Sequence, residues 1–235
     1  MAAFVLVHGA WHGGWCYKRV AQILRGGGHA VYTPTLTGLG ERAHLLGPSV
    51  TLDTHIEDVL GVIRCEELSD VVLCGHSYGG MVISGVAERA ADKLRALVYL
   101  DAFVPENGQS LLDLVPAELA ETMRSDARQS GEGYKLTPLP AEHFNVNAAD
   151  AAWVNAMCGK HPLASFEQRM TLRGGRDRVR RRVYVLASGW GPSPFPPFAE
   201  RFARDPAWQV TSIDCGHDVM LDRPEALAQV LAAAA

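Results

Sequence analysis

The sequence predicts a doubly wound α/β protein, in which a six-stranded, mostly parallel sheet is covered by helices on both faces. Short apolar runs alternate with longer helical patterns, and the apolar runs are continuous along their length. Continuous apolar strands are buried on both faces, which is typical of a parallel sheet. With 235 residues, 48% of them hydrophobic and 20% charged, the chain has the size of one domain with a large core.

Six runs have the composition of strands, and helical patterns lie between several of them. The predicted strands are Phe4–Val7, Ala30–Thr33, Val71–Cys74, Leu97–Leu100, Val183–Ala187 and Trp208–Ile213. The predicted helices are Cys16–Arg25, Leu52–Cys65, Gly79–Arg89 and Pro224–Leu231. The glycines at 26–28 end the first helix, and Thr51 is a candidate N-cap for the second. This alternation predicts parallel strands whose carboxyl ends meet at one edge of the sheet.

The alternation stops between residues 105 and 181. This segment is more polar, with scattered proline and glycine and with short helical pieces at Leu111–Arg124 and Phe166–Arg173. An insertion of about 75 residues between two strands is far longer than an ordinary connection. We therefore expect a core formed by residues 1–104 and 182–235 and a cap formed by residues 105–181. The alternative is that these residues form an ordinary helical connection between two strands and not a cap.

The charge balance argues against a nucleic-acid partner. The chain has 22 Lys and Arg against 26 Asp and Glu, a net charge of −4, whereas a nucleic-acid binder usually has a basic face. We therefore expect a small-molecule partner. The oligomeric state stays open, with a homodimer as one alternative.

The cysteines and histidines do not indicate a disulfide framework, a metal site or a cofactor. Five scattered cysteines without a Cys-x-x-Cys pair suit a reducing compartment. His8 and His12 are four residues apart, but they lie in a glycine-rich loop and not on a helix. The N-terminus has no signal-peptide pattern, and no run is long enough to cross a bilayer. We expect a cytoplasmic protein that does not contact a membrane.

The strongest chemical signal is the sequence Gly75-His76-Ser77-Tyr78-Gly79-Gly80, between the third strand and the following helix. Gly-x-Ser-x-Gly at such a junction places the serine in a sharp turn that exposes its hydroxyl above the sheet. The helix that begins beneath the serine favours negative charge there. Ser77 is therefore a candidate nucleophile, and the alternative is a glycine-rich turn with an ordinary serine.

A serine hydroxyl needs an adjacent base to become a good nucleophile. His217 follows the last strand, so it lies at the same edge of the sheet as Ser77 and is the candidate base. The first strand ends in a loop of small residues, which lets backbone amides face a reacting oxygen. We expect the amides of Ala10 and Tyr78 to form an oxyanion hole.

Aromatic side chains in loops near this edge are candidates for the walls of a substrate pocket. They are Trp11, Trp15, Tyr78, Phe103, Trp153 and Trp190. Aromatic walls suit an apolar acyl or aryl group. For each of these side chains, packing in the core is the alternative.

The segments HGAWHGGW, GHSYGG, LVYLDAFVP and CGHD resemble the α/β-hydrolase superfamily. They are similar to the branch that holds plant methylesterases, hydroxynitrile lyases and bacterial carboxylesterases, including pyrethroid-hydrolase-like enzymes. The resemblance covers nearly the whole chain and is weakest in the cap. It implies that family's sheet without its first two strands, in the order 2-1-3-4-5-6, and a Ser-His-acid triad.

One departure from the family concerns the triad acid, which members usually place directly after the penultimate strand. The corresponding segment, Ala187–Phe195, contains no Asp or Glu. Asp101 ends the fourth strand at the same edge and is the favoured candidate, in a position similar to that of the acid in haloalkane dehalogenases. The alternatives are a Ser-His dyad held by water or backbone, or another carboxylate.

The favoured function is a serine carboxylesterase that cleaves a small to medium apolar ester through an acyl-enzyme on Ser77. A second hypothesis is a hydroxynitrile lyase. Family members with that activity have a Thr and a cyanide-binding Lys where this chain has Gly9 and Asp218, and a carboxylate there would repel cyanide. A third hypothesis is a binding protein whose turnover has faded, because the usual acid position is empty.

Overall fold

The main sheet has six parallel strands, as the sequence predicts. The computed structural model describes residues 1–235, and its strands are β1 (Ala3–Val7), β2 (Ala30–Tyr32), β3 (Val71–His76), β4 (Leu94–Leu100), β5 (Lys135–Leu136), β6 (His161–Pro162), β7 (Arg181–Ala187) and β8 (Trp208–Ile213). All except β5 and β6 form one sheet in the order β2-β1-β3-β4-β7-β8. Every neighbouring pair in it is parallel. This confirms the predicted order.

Ten α-helices accompany the strands. They are α1 (Lys18–Gly26), α2 (Leu52–Cys65), α3 (Gly79–Ala90), α4 (Ala117–Ser130), α5 (Ala151–Met157), α6 (Leu163–Glu167), α7 (Gly175–Arg178), α8 (Pro196–Ala203), α9 (Val219–Asp222) and α10 (Pro224–Ala233). Short 3₁₀ turns cover Gly14–Tyr17, Gly40–Leu45, Ala91–Lys93, Leu111–Asp113 and Ala141–Phe144. None of the helices combines the length and the apolar character that crossing a membrane requires.

Some predicted elements have different boundaries in the structure. Helix α1 begins at Lys18 because the preceding residues form a 3₁₀ turn. The predicted helical piece Leu111–Arg124 is interrupted before Pro116, which lacks an amide hydrogen and stands at the N-cap of α4. Strand β8 is an edge strand and is partly exposed on both faces, so the expectation that it is buried was wrong.

The segment between β4 and β7 adds no strand to the main sheet. It contains α4 to α7 and the antiparallel pair β5–β6. Its side chains Leu136 and Phe166 belong to the same apolar cluster as residues of β1 and β3. The segment therefore shares an apolar core with the sheet, and its definition as a separate cap stays a prediction.

The parallel arrangement gathers four loops at one edge of the sheet. The loops after β1, β3, β4 and β8 carry Ala10, Ser77, Asp101 and His217. Because all the strands run in the same direction, residues far apart in the chain meet at their carboxyl ends. The candidate site lies there.

Candidate active site

Ser77 lies in a strained turn between β3 and α3. Its φ is +54°, in the left-handed region that a non-glycine residue seldom adopts. A Cβ atom on Gly75 would lie 2.5 Å from the carbonyl oxygen of Gly79, and one on Gly79 would lie 2.8 Å from the carbonyl oxygen of Val7. Both flanking positions therefore require glycine, which is the steric reason for the Gly-x-Ser-x-Gly pattern.

Asp101 and His217 form a buried pair. Asp101 Oδ2 is 2.7 Å from His217 Nδ1, and the two residues are 0% and 3% exposed. A carboxylate only accepts hydrogen bonds, so Nδ1 carries the ring hydrogen and Nε2 is left with a free electron pair. Asp101 is itself strained, with φ +43°. The Asp101 carboxylate thus lies beside the candidate base, although no carboxylate follows the penultimate strand.

Two further donors hold the Asp101 carboxylate. The amide of Ala187 donates to Oδ1 at 3.1 Å, and the indole Nε1 of Trp190 donates to Oδ2 at 2.9 Å. Both donors belong to the segment in which the family usually has its acid. The same segment therefore orients the carboxylate of Asp101 through hydrogen bonds.

Aromatic rings enclose the His217 imidazole. Phe195 stacks on it with ring centroids 5.2 Å apart and an interplanar angle of 9°, and Trp190 and Phe144 pack at 4.8 and 5.3 Å. These contacts restrict rotation of the ring. Its free nitrogen therefore has a fixed direction.

The backbone amides of Ala10 and Tyr78 donate no hydrogen bond within the protein, although both residues are buried. Buried amides without a partner are rare. The loop that carries Ala10 lies against the serine turn, because a Cβ atom on Gly9 would lie 2.9 Å from His76 Nδ1 and 3.0 Å from Ser77 Cβ. Both amides belong to residues that line the same cavity as Ser77.

The cavity has a volume of about 340 Å³ and a mostly apolar lining. Ser77 and His217 both line it, and the Ser77 hydroxyl makes no hydrogen bond to another protein group. In unliganded enzymes, catalytic hydrogen bonds are often long and tighten only when substrate binds. A larger open groove of about 790 Å³ lies between residues 142–155 and 215–223 and contains neither side chain.

The structure places four of the six predicted pocket aromatics in this cavity. They are Trp11, Tyr78, Phe103 and Trp190.

Trp15 and Trp153 do not line the cavity, so their assignment to the substrate pocket was wrong. Trp15 lies in the 3₁₀ turn after β1, where its ring packs on Trp153 with ring centroids 4.9 Å apart. Trp153 is 38% exposed.

Much of the remaining lining comes from side chains that the sequence did not single out. They are Leu111, Val115, Leu119, Met123, Leu139, Phe144, Phe166 and Phe195. Most belong to the segment between β4 and β7. Its helical pattern shows which positions are apolar, but not which of them face the sheet edge.

Several histidines near the site are buried and uncharged. Burial lowers the pKa of His8 to about 3 and that of His55 to about 4. Burial also lowers the pKa of His76 and His161 well below the usual range. Their side chains are therefore neutral near pH 7. No group of three or more His, Cys, Asp or Glu side chains is arranged to hold a metal ion.

Residues 4–230 match the family described as "Alpha/beta hydrolase family". The chain is 55% identical over 240 residues to the "Carbendazim hydrolyzing esterase" of Nocardioides sp. (strain SG-4G), covering 99% of both chains. It is 26% identical to "Methylesterase 10" of Arabidopsis thaliana, covering 97% of this chain and 90% of that one.

Solved structures share the fold. An extracellular alpha/beta-hydrolase from a Paenibacillus species superposes with a TM-score of 0.87 at 24% identity, covering 100% of this chain and 99% of the other. A pyrethroid hydrolase from Sphingobium faniae JZ-2 superposes with a TM-score of 0.77 at 22% identity, covering 99% and 96%.

Proposed function

Because this chain belongs to the alpha/beta hydrolase family and is an esterase, we propose that it works by nucleophilic catalysis, with Ser77 as nucleophile and His217 as base. The observation that carries the proposal is the 2.7 Å contact between His217 and Asp101, together with the presence of Ser77 and His217 in the lining of one cavity. It supports an acid–base pair of the kind that a Ser-His-acid triad requires.

The reaction has two stages. Ser77 Oγ attacks the ester carbonyl while His217 Nε2 takes the hydroxyl proton, and the carbonyl oxygen becomes an oxyanion that the amides of Ala10 and Tyr78 stabilise. His217 then gives the proton to the leaving alcohol as the C–O bond breaks. A water molecule, activated by His217, cleaves the acyl-enzyme and releases the acid and Ser77.

Asp101 has two roles in this proposal. Its contact with Nδ1 fixes the tautomer that leaves Nε2 free to accept a proton, and its charge stabilises the imidazolium that forms. The same contact weakens the hypothesis of a catalytically weak binding protein. That hypothesis depended on the empty acid position after the penultimate strand.

The cavity supports a neutral substrate with a flat apolar group. Its lining includes the rings of Trp11, Phe103, Phe166 and Phe195, and it contains no Lys, Arg, Asp or Glu. Aromatic lining favours planar groups through stacked and edge-on contacts. We therefore propose aromatic esters and carbamates as the substrate class. Carbendazim is the first compound to assay, because the 55% identical relative is named as an esterase that hydrolyses it.

The lyase hypothesis has less support, although one reason given against it was wrong. Asp218 does not face the cavity, so its carboxylate would not repel a departing cyanide there. It is bonded instead to His12. The reasons that remain are that Gly9 stands where family members with lyase activity have Thr, and that no Lys or Arg lines the cavity to hold a cyanide ion.

The test replaces Ser77 by alanine. We expect S77A to lose essentially all turnover of p-nitrophenyl acetate and carbendazim, and the wild-type protein to gain a covalent adduct on Ser77 with a fluorophosphonate, detected by mass spectrometry. Ser69→Ala, at an exposed serine before β3, is the control and should keep full activity. Unchanged turnover in folded S77A would refute the proposal.

A further inference from the structure

His12, in the same loop as Ala10, forms a buried ion pair with Asp218. His12 Nε2 is 3.0 Å from Asp218 Oδ2, and His12 Nδ1 is 2.7 Å from the carbonyl oxygen of Ala10. His12 is 3% exposed and Asp218 is 0% exposed. A carbonyl oxygen and an ionised carboxylate both only accept hydrogen bonds, so both ring nitrogens carry hydrogen and the ring is an imidazolium.

The charges of the pair support this protonation state. Burial alone favours a neutral ring, but the attraction and hydrogen bond of Asp218 outweigh it and raise the pKa of His12 well above its usual value. Burial likewise favours a neutral carboxyl, but the attraction of His12 lowers the pKa of Asp218 well below its usual value. The pair is therefore ionised at neutral pH.

The pair connects the two loops that hold the proposed oxyanion hole and the proposed base. His12 lies two residues after Ala10, and Asp218 directly follows His217. The hydrogen bond from His12 to the Ala10 carbonyl fixes the peptide that joins Ala10 to Trp11. The φ of Trp11, +62°, is strained. The Ala10 amide has no partner of its own within the protein, so the conformation of this loop alone sets its direction.

We propose that the His12–Asp218 ion pair is a clamp that positions the oxyanion hole, holding the Ala10 amide in register with His217 and Ser77. The proposal rests on the function proposed above. Neither His12 nor Asp218 lines the cavity. They are therefore positioning residues that act through Ala10 and do not touch the substrate.

A gain in folding stability does not by itself explain why this ion pair is buried here. Burying two charges carries a desolvation cost, and well-packed apolar residues of similar size often replace a buried pair without loss of stability. This pair is also incompletely satisfied, because Asp218 Oδ1 has no hydrogen-bond partner. A role in placing the Ala10 carbonyl explains why two charges are kept in a buried position.

The test removes both charges together. In H12F/D218L the phenyl ring keeps the stacking on Trp15, but no donor reaches the Ala10 carbonyl and no charge is left buried without a partner. We expect kcat for p-nitrophenyl acetate to fall about 10- to 100-fold, a part of the loss that follows complete removal of an oxyanion donor. KM should stay within about threefold, because ground-state binding does not use the oxyanion hole.

A tetrahedral inhibitor gives a second readout. Benzeneboronic acid forms a tetrahedral adduct on a catalytic serine, so its Ki should rise about as much as kcat falls. D218N is the conservative variant. A neutral His12 can still donate through Nδ1 to Ala10 and accept from the new amide through Nε2, so D218N should keep kcat within about threefold of the wild type.

Control and fallback variants separate this role from a loss of stability. D150N breaks the Arg19–Asp150 pair, which also joins distant segments but does not contact the Ala10 loop, and it should leave kcat unchanged. If H12F/D218L does not fold, H12Q carries the same expectation, because its amide can replace Nε2 towards Asp218 but has no donor at the position of Nδ1 towards the Ala10 carbonyl. Folding is checked by circular dichroism and thermal unfolding.

The outcomes distinguish this inference from the proposed function. Wild-type kcat and boronate Ki in folded H12F/D218L, or in H12Q, would overturn the clamp while loss of activity in S77A left the serine mechanism intact. Activity that survives in S77A would instead overturn the mechanism itself.

Discussion

Three non-glycine residues at the site, Trp11, Ser77 and Asp101, have positive φ angles. Each such conformation costs about 1–3 kcal/mol and persists only where the surrounding structure enforces it. Backbone hydrogen bonds enforce two of them, since Ser77 N donates to Leu100 O at 3.2 Å and Asp101 N donates to Val185 O at 2.7 Å. The strain aims two side chains at the edge of the sheet where His217 lies.

Replacing Asp101 by asparagine tests the role of its charge. D101N keeps the size of the side chain but removes the charge that, in the proposed mechanism, stabilises the imidazolium and fixes the tautomer of His217. We expect kcat for p-nitrophenyl acetate to fall about 10³- to 10⁴-fold.

The matched control is D214N, which changes an exposed carboxylate three residues before His217 and should leave kcat unchanged. A D101N enzyme that keeps more than a tenth of wild-type kcat would show that another group supports His217.

At the scale of elements, the short strand β6 and the residues before it hold the loop after β1. Gly159 N donates to the carbonyl oxygen of Trp11 at 3.0 Å, and His161 Nδ1 accepts from the amide of Trp11 at 3.3 Å. Burial keeps His161 neutral, which is the state that lets Nδ1 accept. The predicted cap is thus bonded to the loop that carries Ala10 through both backbone groups of one residue.

Alanine substitution of two helical glycines distinguishes the effect of packing on stability from the effect of helix propensity. In α2, a Cβ atom on Gly61 would meet nothing within 4 Å, so G61A should raise the free energy of unfolding by about 0.5–1 kcal/mol. In α3, a Cβ atom on Gly85 would collide with the Ile56 side chain of α2. G85A should therefore lower the free energy of unfolding by about 1–3 kcal/mol.

Urea unfolding of both variants gives the two free energies, and each variant is the control for the other. Changes of the same sign would mean that the contact between α2 and α3 does not decide the effect at Gly85.

For the whole molecule, the buried histidines make stability depend on pH. His8, His55, His76 and His161 are neutral in the folded state because burial lowers each pKa, but each takes up a proton near pH 6.5 when the chain unfolds. Their contribution to stability is complete above pH 6.5 and is lost as the pH falls. Each ring contributes a slope of about 1.4 kcal/mol per pH unit.

The two members of the His12–Asp218 ion pair lose their contributions to stability in opposite directions of pH. The raised pKa of His12 stabilises the folded state fully below pH 6.5, and this contribution is lost as the pH rises towards that pKa. The lowered pKa of Asp218 contributes above its unfolded value of about 3.9 and is lost in more acidic solution. One group thus lowers stability on the alkaline side, against four on the acid side.

We therefore expect an asymmetric stability profile with a maximum near pH 6.5–7. Tm measured by differential scanning fluorimetry should fall several times more between pH 6 and pH 5 than between pH 7 and pH 8. Equal Tm values at pH 7 and pH 5 would contradict the assignment of four neutral buried histidines.

The sequence was sufficient for the sheet and for the position of Ser77, because both depend on local patterns. Continuous apolar runs define the strands, and strand direction places their carboxyl ends at one edge. The glycine pattern around Ser77 follows from steric limits within five residues. The sequence also placed Asp101 and His217 at that edge, but it left the acid open among several alternatives.

Only the tertiary structure decided which groups touch. The Asp101–His217 contact joins residues 116 positions apart, and the His12–Asp218 pair joins residues 206 positions apart. The contact of Trp15 with Trp153 outside the cavity and the entry of Phe144 and Phe166 into it depend on how a long connecting segment packs against the rest of the chain. A local pattern fixes the conformation of a segment, but side-chain contacts between distant segments arise from packing, which no single segment encodes.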